Sequence, residues 1–145
     1  MDFCREEFLI NLVARHLVTC GHICVGVSSP IPGAAALLTK ERSAGRTVLN
    51  IIGSRDNNAF TSGAQEMFDC AAQGRIDAFF LGGGQIDGQA NINLVGTGDY
   101  PAVVVRWPGS FGSAFLYYLV PNVILFREEH SKRVLVPKVD FVSAP

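Results

Sequence analysis

The run Ile76-Asp77-Ala78-Phe79-Phe80-Leu81-Gly82-Gly83-Gly84 decides the fold class. Ile76 to Leu81 is almost wholly apolar, so it reads as a strand buried on both faces, and three glycines end it. The same kind of unit recurs upstream. Thr47 to Ile52 (TVLNII) and Ile23 to Val27 are further short apolar runs that read as buried strands. Helical segments separate them: Ala34 to about Ala44, stopped by Gly45, and Ala64 to Gln73, stopped by Gly74. A polar loop, Gly53 to Gly63 (GSRDNNAFTSG), precedes the second of these helices. Strands alternating with helices, each strand nearly all apolar, predict an α/β fold with an open, mostly parallel sheet and helices on both faces.

Outward from this centre the chain begins with an amphipathic helix, Asp2 to Thr19. Phe8, Leu9, Leu12, Val13 and Leu17 share one face, Asp2 is the expected cap, and Gly21 ends the segment. Ser28 and Ser29 are read as capping the following helix, since no GxSxG surrounds either as a nucleophile. Beyond the glycines, Gln85 to Val95 (QIDGQANINLV) alternates apolar and polar residues about Gly88, as a hairpin or a strand entering a turn does. A buried strand Val103 to Trp107 comes next, then the tight loop Pro108-Gly109-Ser110-Phe111-Gly112-Ser113 and a short helix, Ala114 to Leu119. Strands at Val123–Phe126 and Val134–Val142 flank a charged turn, Arg127 to Arg133.

Composition narrows the function. The chain of 145 residues, 15.6 kDa, suits one domain able to bury a core. Charged residues make up 17%, against about 25% in an average domain, which suggests that another subunit covers part of the surface. Net charge is −1, so no basic excess exists to neutralise phosphates, and a nucleic-acid partner is not expected. No export signal is read at the acidic N-terminus, and the four cysteines are read as reduced thiols of a cytoplasmic chain. Trp107 to Phe126 carries no charge over twenty residues, but Pro108, Gly109, Gly112, Pro121 and Asn122 break it; it is read as buried, with no membrane span.

Other motifs favour plain readings. Cys20, His22 and Cys24 alternate and share one face of a strand, but a structural zinc site wants four ligands and no fourth is in view; no metal is expected. Gly82, Gly84 and Gly88 do not open a helix, so a dinucleotide site is not expected; the glycines are read as permitting close approach to a substrate or a neighbouring chain. Gly109 to Gly112 stands between a strand and a helix, where backbone N–H groups can meet an anion or a developing oxyanion. His16 and His130 are read as surface or packing residues. Phe79, Phe80, Phe111 and Phe115 are read as core.

Four segments together resemble the β subunit of family I coenzyme A transferases, the glutaconate CoA-transferase type. They are Gly26-Val27-Ser28-Ser29-Pro30 with its Ala-rich helix, Gly83-Gly84-Gln85-Ile86-Asp87 with Asn91-Ile92-Asn93, Pro108-Gly109-Ser110-Phe111-Gly112, and His130-Ser131-Lys132-Arg133 leading to Lys138-Val139-Asp140-Phe141. The second and fourth are the most specific, because order and spacing agree as well as composition. The resemblance implies an α partner subunit and acyl-CoA as substrate, with no permanently bound cofactor. It implies that Gly109, Ser110, Phe111 and Gly112 offer donors to the thioester oxygen, and that Asn50, Ser54, Gly84 and Gln85 line the pocket.

Three departures stand out. The family motif reads roughly GGAQID-x-x-GN-x-N, and Ala90 replaces its glycine. The glycine-rich loop usually reads PGSGG, and Phe111 intrudes. Transferases of this type place a glutamate at the end of the second strand, where its carboxylate attacks the thioester; here that position falls near Ile51, with Asp56 as the nearby carboxylate. The catalytic residue is therefore left unassigned. Relatives lacking the glutamate decarboxylate glutaconyl-type thioesters or hydrolyse ring-derived acyl-CoAs, and the run Gly53-Ser54-x-Asp56 is similar to the decarboxylase type.

Relatives also continue past Lys138-Val139-Asp140-Phe141, so residues 1–145 are read as a single domain lacking the family's C-terminal part. The leading expectation is a β-like subunit of a heteromeric enzyme acting on an acyl-CoA thioester. Its rivals are a glutamate-independent decarboxylase or hydrolase subunit and a non-catalytic structural or acyl-CoA-binding subunit.

Overall fold

The computed structural model describes residues 2–145. They form two compact units. The first holds residues up to 80 together with 120–124, and the second holds 81–119 and 125–145.

In the first unit, helix α1 (Arg5–His16) leads to strand β1 (His22–Val25), helix α2 (Pro30–Arg42), strand β2 (Val48–Ile51) and helix α3 (Ala64–Ala72). Strand β3 (Ala78–Leu81) follows, and its last residue opens the second unit; β8 (Asn122–Leu125) crosses the same boundary later in the chain. The sheet order is β2-β1-β3-β8. His22 pairs with Val48 and Val25 with Ile51, in parallel, while Ile23 pairs with Ala78 on the other side. Along β3 and β8, Asn122 N–H donates to the Asp77 carbonyl and Phe126 N–H to that of Leu81, so the two strands also advance together.

From β1 the chain steps one way to β2 and then back across β1 to β3. Right-handed crossovers consequently put α2 and α3 on opposite faces of the sheet. Ile23, Cys24, Val25 and all four residues of β3 are buried, as a doubly covered strand requires. The α/β class and the mostly parallel sheet thus match the sequence expectation.

Several boundaries differ. The cap of α1 is Cys4, not Asp2: the Cys4 N–H donates to the Glu7 carboxylate at 3.0 Å, a reciprocal arrangement that Asp2 lies too early to make. The apolar face of α1 is only partly covered. Val13, Ala14 and Leu17 are buried, but Phe8 is 52% exposed and stacks on Phe3 at 6.1 Å, and Leu12 is also exposed. Helix α2 starts four residues early, because Pro30 fits the first turn, where its missing N–H costs nothing; Ser29 stands at the cap position, but its hydroxyl donates back to the Val27 carbonyl at 3.3 Å and does not cap the helix as expected.

In the second unit, β4 (Gln85–Ile86) and β5 (Ile92–Asn93) form the expected hairpin, with Gln85 opposite Asn93. Strand β6 (Gly96–Thr97) pairs antiparallel with β7 (Val105–Arg106). The expected strand Val103–Trp107 shrinks to these two residues and is exposed, not buried. Helix α4 spans Ser113–Leu119. No regular strand forms over Val134–Val142; Leu135 bridges Ile86, and Ala144 bridges Ile92. Pro137 supplies no N–H to a ladder there, and the segment instead places Val134, Val139 and Ala144 inside as separate anchors.

Candidate functional site

In the first unit the chemistry gathers on one face of β1 and β2. Cys24 is the register partner of Asn50, so both side chains leave the same face, and pleating puts His22 there too. The result is a directed hydrogen-bond chain. His22 Nδ1 lies 2.8 Å from the Arg75 carbonyl, which can only accept, so the ring proton sits on Nδ1. Nε2 then accepts from Asn50 Nδ2 at 2.8 Å. Asn50 Oδ1 in turn accepts the Ala59 N–H at 2.7 Å, inside the loop that follows β2. The Cys24 thiol lies 3.6 Å from Nε2, and the Phe60 ring tilts towards the imidazole at 6.2 Å.

Burial sets the electrostatics of this cluster. Desolvation holds the His22 imidazole below its ordinary value, partly opposed by its bond to Arg75 and by the nearby Asp77 charge. Desolvation also pushes the Cys24 thiol up to about 12, so it is a protonated thiol at neutral pH. Asp77 caps the start of β1, accepting the N–H groups of Gly21 and His22 at 2.7 and 2.8 Å. The three alternating residues Cys20, His22 and Cys24 therefore have internal duties; both ring nitrogens of His22 are engaged, and Cys20 and Cys24 are buried. Among the described residues no group of three His, Cys, Asp or Glu is arranged to hold a metal ion.

The loop 52–63 is tied at three places. Ser54 Oγ accepts the Asn57 N–H at 3.1 Å, and the Ile51 N–H donates to the Asn57 carbonyl at 2.6 Å. Asn50 holds the middle. Glu66 holds the far end, accepting the Thr61 and Ser62 N–H groups at 2.7 and 3.1 Å, and these bonds draw its carboxyl below the ordinary range. Asn50 and Ser54 are thus brought into one segment, where Asn50 is buried with both ends of its amide used and Ser54 closes a turn.

The second unit carries a separate network around Gln85. Its Oε1 accepts from Asn93 Nδ2 at 2.7 Å and from the Asp140 N–H at 2.9 Å, while its Nε2 donates to the Asp140 carboxylate at 3.0 Å. Asn93 is fully buried and also donates to the Gly96 carbonyl at 2.7 Å. At the turn of the hairpin, Asp87 accepts from Asn91, Gln89 and Val139, and these bonds, led by the Asn91 side chain, hold its carboxyl below the ordinary range. The close approach expected at the glycines is made by the chain's own Trp107: a methyl group on Gly84 would overlap the indole.

The loop Gly109–Gly112 is joined to this network, since the Gly109 N–H donates to the Leu94 carbonyl at 3.1 Å. Gly109 has a φ of 105° and Phe111 one of 46°, a left-handed conformation that side chains resist. The Phe111 ring is 94% exposed, so it is not a core residue; Phe115 is partly exposed, and only Phe79 and Phe80 are buried as expected. Ala90 is likewise left-handed at 64°, and its carbonyl accepts from the Tyr117 hydroxyl at 2.9 Å. His22 and Asp140 are the residues that the sequence reading missed as polar anchors. The alternation Cys20-His22-Cys24, read with the parallel pairing of β1 and β2, is the signal that places His22 beside Asn50.

A mostly parallel sheet with helical crossovers, glycine-bearing loops and buried amide networks defines a protein of the α/β class. The sequence profile of that family, described as Coenzyme A transferase, matches residues 8–145, and the chain belongs to it. It is 37% identical over 71 residues to the B-type subunit of 3-oxoadipate CoA-transferase from Pseudomonas knackmussii, a match covering 49% of this chain and 27% of that protein. It is 35% identical over 66 residues to the B-type subunit of glutaconate CoA-transferase from Acidaminococcus fermentans, covering 46% of this chain and 24% of that protein. The matched stretches thus span about a quarter of those relatives' length.

Among solved structures, the fold is similar to the decarboxylase AibA/AibB, with TM-score 0.83 and 23% identity over 99% of this chain and 67% of that one. IpdAB of Rhodococcus jostii RHA1 gives 0.83 and 20% over 100% and 62%. Glutaconate CoA-transferase itself gives 0.81 and 20% over 99% and 63%.

Proposed function

We propose that this chain is a β-like subunit of a heteromeric enzyme that acts on an acyl-CoA thioester. The observation that carries the reading is the family match over residues 8–145. In this reading residues 1–145 act as a single family domain in the cytoplasm, with an α subunit of the same family as partner. Two curated relatives are themselves subunits of B type, and this chain exposes Val104, Phe111 and Tyr118, apolar and aromatic surface of the kind a partner covers. Coenzyme A enters as part of the substrate. The backbone donors of Ser110, Phe111 and Gly112 stabilise the negative charge that develops on the thioester oxygen, while the Gly109 N–H anchors the loop on the Leu94 carbonyl. Gly84 and Gln85 shape the substrate pocket in the second unit, and Asn50 and Ser54 position the loop after β2 in the first.

A second reading concerns the reaction type. Strand β2 ends on Ile51, an aliphatic residue where the resemblance puts a nucleophilic glutamate, and Asp56 is an exposed loop residue five positions on. This favours decarboxylation or hydrolysis without an enzyme-bound CoA thioester on this chain. The test is to mix the assembled complex with acyl-CoA and sodium borohydride. Hydride reduces an enzyme-bound thioester to the alcohol and releases the CoA thiol, so a carboxyl of this chain found as the alcohol by peptide mass would establish covalent transfer; turnover with every carboxyl of this chain intact supports the glutamate-independent reaction. No acyl-CoA turnover in the assembled complex would leave a structural or acyl-CoA-binding subunit.

A further inference from the structure

The chain Arg75–His22–Asn50–Ala59 has one polarity, and that polarity depends on a neutral imidazole. The Arg75 carbonyl fixes the proton on Nδ1, leaving Nε2 as an acceptor. Asn50 must then present Nδ2 to His22 and Oδ1 to the Ala59 N–H. Adding a proton to Nε2 sets two donors against each other 2.8 Å apart. If Asn50 turns its amide over, Oδ1 satisfies the imidazolium, but Nδ2 then faces the Ala59 N–H, again donor against donor. Every rearrangement within the chain costs one bond, and the bond to Ala59 is the one that holds the exposed segment.

We propose that His22 is a proton-operated latch on the loop that leaves β2: neutral, it fixes Asn50 in the orientation that holds Ala59, and protonated, it releases Ala59 and Phe60. The loop emerges from the carboxyl end of a strand in an open α/β sheet, where such folds receive ligands. Its order at that edge then follows the charge of a group buried behind it.

The groups facing His22 are Cys24 on its own strand, the Arg75 carbonyl with its guanidinium nearby, the Asp77 carboxylate on the His22 N–H, neutral Asn50 and the Phe60 ring. Cys70 of α3 lies beyond Cys24. Burial opposes the imidazolium and dominates, the bond to the Arg75 carbonyl and the Asp77 carboxylate favour it, and the Arg75 guanidinium opposes it, so release belongs to pH below the ordinary imidazole value. The other ties at Ser54 and Glu66 contain no group of this cluster, which keeps the release local.

The experiment is a pH titration of the 145-residue chain by NMR, following the His22 ring nitrogens and the amide protection of Ala59, Phe60, Thr61 and Ser62, each corrected for intrinsic exchange. The expected result is an Nδ1–H tautomer at neutral pH. Protection at Ala59 then falls with the same midpoint as the ring, while Thr61 and Ser62 stay held. In Asn50→Asp the carboxylate accepts from both neighbours, so the His22 midpoint rises by about one to three pH units and Ala59 stays protected. Ala59 protection that ignores the His22 titration, or an unmoved midpoint in Asn50→Asp, overturns the proposal. Should Asn50→Asp fail to fold, His22→Gln carries the test: its amide oxygen can accept from Asn50 without titrating, so the acid-induced loss at Ala59 disappears. Persistence of that loss overturns the latch.

Discussion

Gln85 and Asp140 lie 55 positions apart and bind each other twice, side chain to side chain at 3.0 Å and backbone N–H to side-chain oxygen at 2.9 Å. The two segments that most specifically resemble the transferase family are therefore one structural unit. Asp140 also accepts the Gly98 N–H at 2.9 Å, and Gln85 holds Asn93, so the hairpin, the following loop and the C-terminal segment share one buried amide.

Removing that amide leaves several partners unsatisfied. Gln85→Ala is expected to destabilise the chain by about 2–3 kcal/mol, because buried Asn93 and the Asp140 N–H lose their acceptor. Gln85→Glu keeps the acceptor but faces the Asp140 carboxylate, so its stability falls as pH rises and the two charges form. Urea unfolding at two pH values checks both.

Ala90 and Phe111 stand where the family motifs have glycine, and both are left-handed in the structure. Ala90→Gly removes the strain at a cost in unfolded-chain entropy, giving a net gain of about 0.5–1 kcal/mol. Phe111→Gly is expected to behave alike, since an exposed ring contributes little packing. Thermal melts of the single and double variants measure this. Destabilisation by either would show that its side chain packs in a way that the exposed loop surface does not reveal.

The pH dependence of stability has a definite sign. Burial depresses the His22 pKa in the folded chain, so the unfolded chain binds the proton more readily. The contribution is fully present above the unfolded value of about 6.5 and is lost as pH falls through that value and the folded one. Glu66 and Asp87, held low by hydrogen bonds, add a loss at more acid pH, below the ordinary carboxylate range. His22→Gln is expected to flatten the first limb and leave the second, which melting curves from about pH 2 to about pH 8 would resolve, a range that reaches below the ordinary carboxylate values.

Backbone donation at the glycine-rich loop is separable from side-chain chemistry. Ser110→Pro deletes one N–H and is expected to lower turnover of an assembled complex about a hundredfold, equivalent to about 2.7 kcal/mol of transition-state stabilisation. Ser110→Ala is expected to stay within a few-fold. Equal losses in both variants, with folding intact by circular dichroism, would point to the hydroxyl instead.

The sheet was legible because Ile23–Val27, Thr47–Ile52 and Ile76–Leu81 are nearly all apolar, the pattern of strands buried on both faces. Val134–Val142 misled for the same reason: an apolar run looks like a strand, but Pro137 denies it a ladder, and it packs as separate anchors. Val103–Trp107 failed because apolar content does not report exposure at short range. At the candidate site, the close approach at Gly84 was legible but not its partner, which is the chain's own Trp107, and Phe111, read as core from its apolar ring, is exposed. The partners of Asn50 and Gln85 were not, since bonds spanning 28 and 55 positions depend on the strand register and on the path of the C-terminal segment. His22 lay between these cases. Its alternation with two cysteines suggested a shared face, and only the pairing of Cys24 with Asn50 turned that face into a relay.

Native mass spectrometry of the tagged chain, purified gently from its own source and supplied with an acyl-CoA, tests the central claim most directly. The account predicts a stoichiometric assembly of this chain with a second, different subunit, carrying acyl-CoA by mass. A chain that flies alone or only with copies of itself, and carries no acyl-CoA, would contradict it.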